Sequence, residues 1–144
     1  MKVETMIAYA TKKGTAKMVA DRFAEILHFP VCSISDIKPS DLQQYKNLIL
    51  IISNYGKGEG PKTCKDFFED FEKIENPEFY KGVQYAVFGC GSSKRAPYYL
   101  AFTKHVENKM AELGATKIHT LGELDDKNPD KSSIETWLLQ LRFE

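Results

Sequence analysis

At 144 residues, 42% of them hydrophobic and 28% charged, the chain has the make-up of a folded domain and not of a disordered, collagen-like or coiled-coil sequence. Twenty basic residues balance twenty acidic ones, so global charge points to neither a nucleic-acid binder nor an acidic carrier. Three cysteines, Cys32, Cys64 and Cys90, occur without any C-x-x-C spacing, which excludes a zinc knuckle and a thioredoxin motif and leaves free thiols of a reducing compartment.

The pattern alternates strand and helix. Thr5 to Tyr9 is a short apolar run that predicts a strand buried on both faces. Gly14 and Thr15 open a helix whose apolar positions, Ala16, Val19, Ala20, Phe23, Ala24 and Leu27, follow the helical period, and Pro30 ends it. Val31 to Ile34 reads as a second strand, and Pro39-Ser40-Asp41 as a capped turn. Leu48 to Ile52 is an unbroken aliphatic run, the mark of a central parallel strand. A glycine-rich loop, Asn54 to Gly60, follows, and Pro61 is placed in the first turn of a helix that turns Cys64, Phe67, Phe68 and Phe71 inward. Tyr85 to Phe88 predicts a fourth strand that ends at Gly89-Cys90-Gly91. A helix is expected from Pro97 to Leu113, stopped by Gly114, then a fifth strand over Thr116 to Leu121. Ser132 or Ser133 caps a last helix with Ile134, Trp137, Leu138 and Leu141 inside.

Five strands alternating with helices imply an α/β fold: an open five-stranded parallel sheet covered on both faces, with residues 1–144 as a single domain. Ligands of such sheets sit at the carboxyl ends of strands, where the strand order reverses. Three segments at those ends carry suitable chemistry. Thr11, Lys12, Lys13, Gly14, Thr15 and Ala16 form a strand-to-helix turn, and unpaired amides at a helix start favour an anion such as a phosphate. It lacks the Walker A spacing and the dinucleotide fingerprint, and a plain helix start accounts for it equally well. Ser53, Asn54, Tyr55, Gly56 and Gly58 place a tyrosine beside permissive backbone, where a flat ligand stacks on the ring. The third segment, Gly89, Cys90, Gly91, Ser92 and onward to Tyr98 and Tyr99, offers a second aromatic wall or the packed start of a helix.

These segments carry a resemblance. YATKKGTA, Tyr9 to Ala16, resembles the phosphate loop of flavodoxins. SNYGKG, Ser53 to Gly58, is similar to the second flavin loop of the FMN domains of diflavin reductases. YAVFGCGSS and ELGA fit the third loop and the helix after it, and Leu121-Gly122 with Asp125-Asp126 fits the last loop. The likeness runs in order along nearly the whole chain. It is closest to the cytochrome P450 reductase and sulfite reductase type, or to a short standalone flavodoxin, and flavodoxin is itself a known example of ligand binding at the reversal of strand order.

The resemblance implies FMN as cofactor, with its phosphate at Thr11 to Ala16. It implies Tyr55 against one face of the flavin ring, Gly56 at the ring edge, and Cys90 to Tyr99 wrapping the other side. Asp126 takes the position of an acidic residue near the ring or ribityl chain. Lys13 stands where the family usually has threonine, and Lys94-Arg95 where it usually has an aromatic, so either Tyr98 or Tyr99, or neither, forms the second wall. Lys12, Lys13, Lys17, Lys57, Lys62, Lys65, Lys94 and Arg95 crowd the site rim, either as a solvated face or as a docking surface for an acidic partner.

The function implied is one-electron transfer from an NADPH-dependent flavin reductase to an acceptor protein, by a monomer. A chain this short holds no NADPH and FAD module of its own, so it is an electron carrier or an FMN domain and not a complete enzyme. The rival reading is a flavin-free interaction module of the same fold. A receiver domain would need acidic residues after the first strand, where Tyr9-Ala10-Thr11 stand. His28, His105 and His119 sit apart from any nucleophile loop, which argues against a hydrolase. With no signal peptide, no run near the ~18 apolar residues of a membrane span and no metal-ligand cluster, the expectation is a cytoplasmic protein without membrane, metal or nucleic-acid partners.

Overall fold

The computed structural model describes residues 3–95, 97–126, 130 and 132–143. Strands β1 (Val3–Ala10), β2 (Val31–Ser33), β3 (Tyr45–Ser53) and β4 (Gln84–Gly91), with the short β5 (Thr116–Lys117) and β6 (Gly122–Asp125), form one parallel sheet. Its order is β2-β1-β3-β4-β5, with β6 also paired to β4. Helices α1 (Thr15–Leu27), α2 (Lys65–Glu72), α3 (Ala101–Glu112) and α4 (Ser132–Gln140) cover it.

The aliphatic run explains the centre. Leu48, Ile49, Leu50, Ile51 and Ile52 are each no more than 2% exposed, and side chains alternate across a strand, so both faces of β3 must be covered. Ile49 and Ile51 pack with α1 and α4, and Leu48, Leu50 and Ile52 with α2 and α3. Burying each such side chain contributes about 1.5–3 kcal/mol. On the α1 face, Phe23 stacks on Trp137 at 5.6 Å, and Phe88 meets both rings edge-on at 5.5 and 5.4 Å. The apolar stripe of α1 is buried at Ala16, Val19, Ala20 and Phe23, and the helix stops at His28, whose N–H makes the last helical bond, to the Ala24 carbonyl, and whose own backbone turns left-handed.

Several element boundaries differ from the sequence reading, each for a local reason. The fifth strand is split. Ile118 N–H still donates to the Tyr85 carbonyl, but Trp137 Nε1 then takes the Thr120 carbonyl at 2.8 Å and His119 Nε2 bonds the Trp137 carbonyl, which draws 119–120 out of the ladder. The chain rejoins at Gly122, where a Cβ would lie 2.3 Å from Phe88. Pro61 precedes its helix instead of starting it, and Cys64 closes a 3-10 turn (Lys62–Cys64) before α2. Gly89, Cys90 and Gly91 belong to β4, so the third loop begins at Ser92. Helix α3 begins at Ala101 and not at Pro97, because Leu100 adopts a left-handed backbone (φ 55°) that buries its side chain completely. Ahead of α4, the Asp130 carboxylate accepts the Ser132 N–H at 3.0 Å and the Ser132 hydroxyl at 2.6 Å.

Phe88→Ala empties the middle of the aromatic trio and is expected to cost about 3–5 kcal/mol in urea denaturation. Leu139→Ala, at a side chain 74% exposed, is expected to stay within about 0.5 kcal/mol of the parent.

Candidate functional site

The chain leaves β1 toward β2 on one side of the sheet and returns through β3 to build the other side. The reversal lies between β1 and β3, and it holds apart the loops that follow them, because α1 crosses one face and α2 the other. The crevice between those loops is the candidate site. A cleft of about 410 Å³ there is lined by Lys13, Asn54, Tyr55, Ser92, Lys94 and Asp126. A wider groove of about 720 Å³ runs along Phe68 and Phe102, over apolar rings and the Lys65–Glu69 ion pair. Backbone donors that converge on the Tyr55 hydroxyl at its edge make the smaller cleft the candidate site.

The backbone N–H groups of Lys12 and Lys13 donate to one atom, the Tyr55 hydroxyl oxygen, at 2.8 and 3.2 Å. The Thr11 hydroxyl oxygen accepts the Gly14 N–H at 2.9 Å, which curls the turn, and Gly14 takes the left-handed conformation (φ 99°) that the curl requires. Gly14 has no side chain with which to cap α1, and the first turn carries no acidic residue. Thr15 and Ala16 therefore present helix-start amides to an anion. Lys12 and Lys13 are exposed, Thr11 and Thr15 half-buried, and Ala16 is in the core.

The second loop is tied on both sides. Asn54 is buried; its Oδ1 accepts the Phe102 N–H at 2.6 Å, its Nδ2 donates to the Tyr98 carbonyl at 3.1 Å, and its own N–H donates to the Cys90 carbonyl. Tyr55 and Glu59 exchange both backbone bonds at 2.8 Å, closing a tight turn in which Gly56 and Gly58 have φ of 51° and 85°. Ser53 lies at the carboxyl end of β3 on the sheet face shared with Ile51 and α1, and its buried hydroxyl has no hydrogen-bond partner among the described residues.

The third segment divides. Ser92 lines the cleft. Gly89 and Gly91 are strand residues whose missing Cβ atoms make room for Leu100, at 3.0 Å from each. The Cys90 side chain is buried in the α1 and α4 core, and burial pushes its thiol above the ordinary value. Tyr98 points outward, 39% exposed. Tyr99 is half-buried, and burial, then Glu123 and Asp125, push its phenol up to about 12. Neither tyrosine is among the described residues that line the cleft. The Arg95 side chain and Ala96 lie outside the described residues.

Asp125 accepts the Ser93 N–H at 2.9 Å and Asp126 N–H donates to the Gly91 carbonyl at 2.7 Å, fixing the last loop beside the third. Burial, then Asp125, raises the Asp126 carboxyl above its ordinary value, while Lys13 pulls it down. The sequence reading found neither the Asn54 bonds nor a further contact between the first loop and the turn before α2. The Thr63 hydroxyl donates to the Thr11 carbonyl at 2.6 Å, across 52 residues of chain. Nothing in the local sequence pattern says that this hydroxyl reaches the first loop.

Asn54→Ala strips the Phe102 N–H of its acceptor and is expected to cost about 1–3 kcal/mol by denaturant titration, against a negligible loss for Asn108→Ala on the exposed face of α3. For Asp126 the folded carboxyl holds its proton more tightly than the unfolded one. Its ionisation therefore subtracts stability as pH rises through the raised value. Asp126→Asn is expected to stabilise the chain at pH 7, and the gain is expected to shrink well below pH 3.8, where the acid is protonated in both states.

Three comparisons bear on this geometry. The flavodoxin family model matches residues 7–137. The inducible nitric oxide synthase of Oncorhynchus mykiss is 28% identical over 142 residues, covering 96% of this chain and 30% of that protein. The bifunctional cytochrome P450/NADPH–P450 reductase of Bacillus cereus is 28% identical over 137 residues, covering 92% of this chain and 13% of that protein. The chain thus spans under a third of the length of these relatives. Oxidised flavodoxin 1 from Bacillus cereus superposes with a TM-score of 0.79 at 23% identity, covering 97% of this chain and all of that one, which establishes the shared fold. The crevice at the β1/β3 reversal, with its phosphate-type turn, is where this fold places its ligand, and the chain belongs to the flavodoxin family, whose cofactor is FMN.

Proposed function

We propose that the chain is a one-electron carrier that binds FMN in the β1/β3 crevice, taking electrons from an NADPH-dependent flavin reductase and passing them to an acceptor protein. The observation that carries this reading is the convergence of the Lys12 and Lys13 amides on a single oxygen, the hydroxyl of half-buried Tyr55, whose place a phosphate oxygen would take. Two further features fit the cofactor. The uncapped start of α1 suits a phosphate dianion, and the orphaned Ser53 hydroxyl suits a polyhydroxy chain lying over β3.

FMN, when bound, supplies the reversible one- and two-electron chemistry, and the protein supplies orientation and field. In this reading Thr11 to Ala16 hold the phosphate through amides and the α1 dipole. Tyr55 walls one side of the flat ring, and the permissive backbone at Gly56 brings a peptide to its edge. Ser92 and the residues toward Tyr99 close the other side. Lys13 and Lys94 bring positive charge to the cleft and favour a more negative cofactor, and Asp126 opposes them. Residues 1–144 act as one domain, a cytoplasmic monomer that leaves the ring edge open to partners. No helix among the described residues is long and apolar enough to cross a membrane.

The visible spectrum of the purified chain, before and after addition of FMN and gel filtration, tests the proposal. Flavin bands retained at one FMN per chain are the expected result. A chain that passes through colourless at micromolar concentration overturns it and leaves a flavin-free interaction module. In the loaded protein, Lys94→Glu, a change of two units of charge at the cleft, is expected to lower the reduction potential by some tens of millivolts in a redox titration.

A further inference from the structure

The phosphate turn is oriented from outside itself. Thr11 lies one residue beyond β1, so its carbonyl is past the strand ladder, and its own hydroxyl is engaged with the Gly14 N–H. The Thr11 carbonyl is gripped by the Thr63 hydroxyl at 2.6 Å. A peptide unit is planar and trans, so the carbonyl of Thr11 and the N–H of Lys12 share one plane and point in opposite directions. That N–H is the one donated to the hydroxyl oxygen of Tyr55, a cleft-lining residue, at 2.8 Å, and an anion's oxygen would take the place of that hydroxyl. Fixing the carbonyl fixes the aim of the amide, and a hydrogen bond to the carbonyl also polarises the peptide and makes its N–H a stronger donor.

Thr63 is well placed to act as a fixed post. Its neighbour Cys64 is 1% exposed and packs in the core with Ala10, the last residue of β1. The Cys64 N–H donates to the Pro61 carbonyl, closing the turn, and Pro61 has a ring-restricted φ of −61°. The hydroxyl thus stands on a turn pinned to the same core as the strand it braces.

We infer that Thr63 is a positioning residue for phosphate recognition: it aims the Lys12 amide, and through it the Lys13 amide, at the position now held by the Tyr55 hydroxyl, without touching the ligand. The inference rests on the reading of the Thr11–Ala16 turn as a phosphate site.

Two titrations test it on the intact chain. In the first, inorganic phosphate is added to the 15N-labelled protein and the Lys12 and Lys13 amide signals are followed. In the second, FMN and riboflavin, which differ by the phosphate, are titrated by quenching of flavin fluorescence. Thr63→Val keeps the shape and removes the hydroxyl. It is expected to weaken inorganic phosphate and FMN about tenfold each, the effect of one misaimed charge-assisted bond, while riboflavin changes less than about twofold. Thr63→Ser is expected to restore both. Equal weakening of FMN and riboflavin would mean a general loosening of the loop and would overturn the inference, as would no change in phosphate affinity or no phosphate-dependent shift at the two amides in the parent chain. If the parent takes phosphate in a Thr63-dependent way but binds no FMN, the positioning role stands and the electron-carrier reading fails.

Discussion

The parallel pairing of β1 with β3 is the constraint on which the rest depends. It runs in register from Val3 opposite Tyr45 to Ala10 opposite Ile52, so both strands end at nearly the same level. Parallel neighbours cannot be joined by a hairpin, and each must hand its chain to a crossover. Here the two crossovers leave in opposite directions, α1 over one face and α2 over the other. Two loops are therefore left facing each other across a gap that no side chain of the sheet can fill. The aliphatic centre of β3 keeps the floor of that gap rigid, and rigidity is what lets backbone amides act as a recognition surface.

Flexible loops over a rigid floor would not hold a defined site, and this chain ties each loop to the next. Thr63 binds the turn before α2 to the first loop, Tyr55 binds the second loop to the first, Asn54 binds the second to the third segment, and Asp125 binds the last to the third. Each of these ties joins a side chain to a backbone group. Such bonds contribute about 0.5–1.5 kcal/mol each to stability, but they also satisfy loop amides and carbonyls that have no ladder to join. In this network the Lys12 and Lys13 amides are held together on the Tyr55 hydroxyl, so the loop scaffold and the donors offered to a ligand share the same groups.

The layout of the sheet was legible in the sequence because it follows from local signals. Leu48 to Ile52 can only be a strand covered twice, and the stripe from Ala16 to Leu27 can only be a helix lying on it. What stayed hidden depends on partners far along the chain. Nothing near Thr116 to Leu121 reveals that Trp137 will pull residues 119–120 out of the sheet. The Gly89-Cys90-Gly91 stretch looks like a loop because glycine is common in loops, yet those glycines serve the close approach of Leu100 to a buried strand. At the site, the phosphate-type turn and Tyr55 stood out by composition. The bond from Thr63 to Thr11 and the double role of Asn54 did not, since a hydroxyl or amide gives no sign of which distant peptide it will meet.

Leu100 has a consequence for how this sequence can change. Its backbone is held in the left-handed region at φ 55°, a conformation that costs a residue with a Cβ about 1–2 kcal/mol and that glycine takes freely. Glycine would remove the strain and also remove the side chain that fills the notch above Gly89 and Gly91. A larger residue at either glycine would in turn expel Leu100. The three positions are therefore coupled, and a lineage descending from this chain would have to alter them together or leave them alone. Because Leu100 sits just before α3 and just after Tyr98 and Tyr99, that coupling also limits how far the third loop can drift while the strand beneath it keeps its packing.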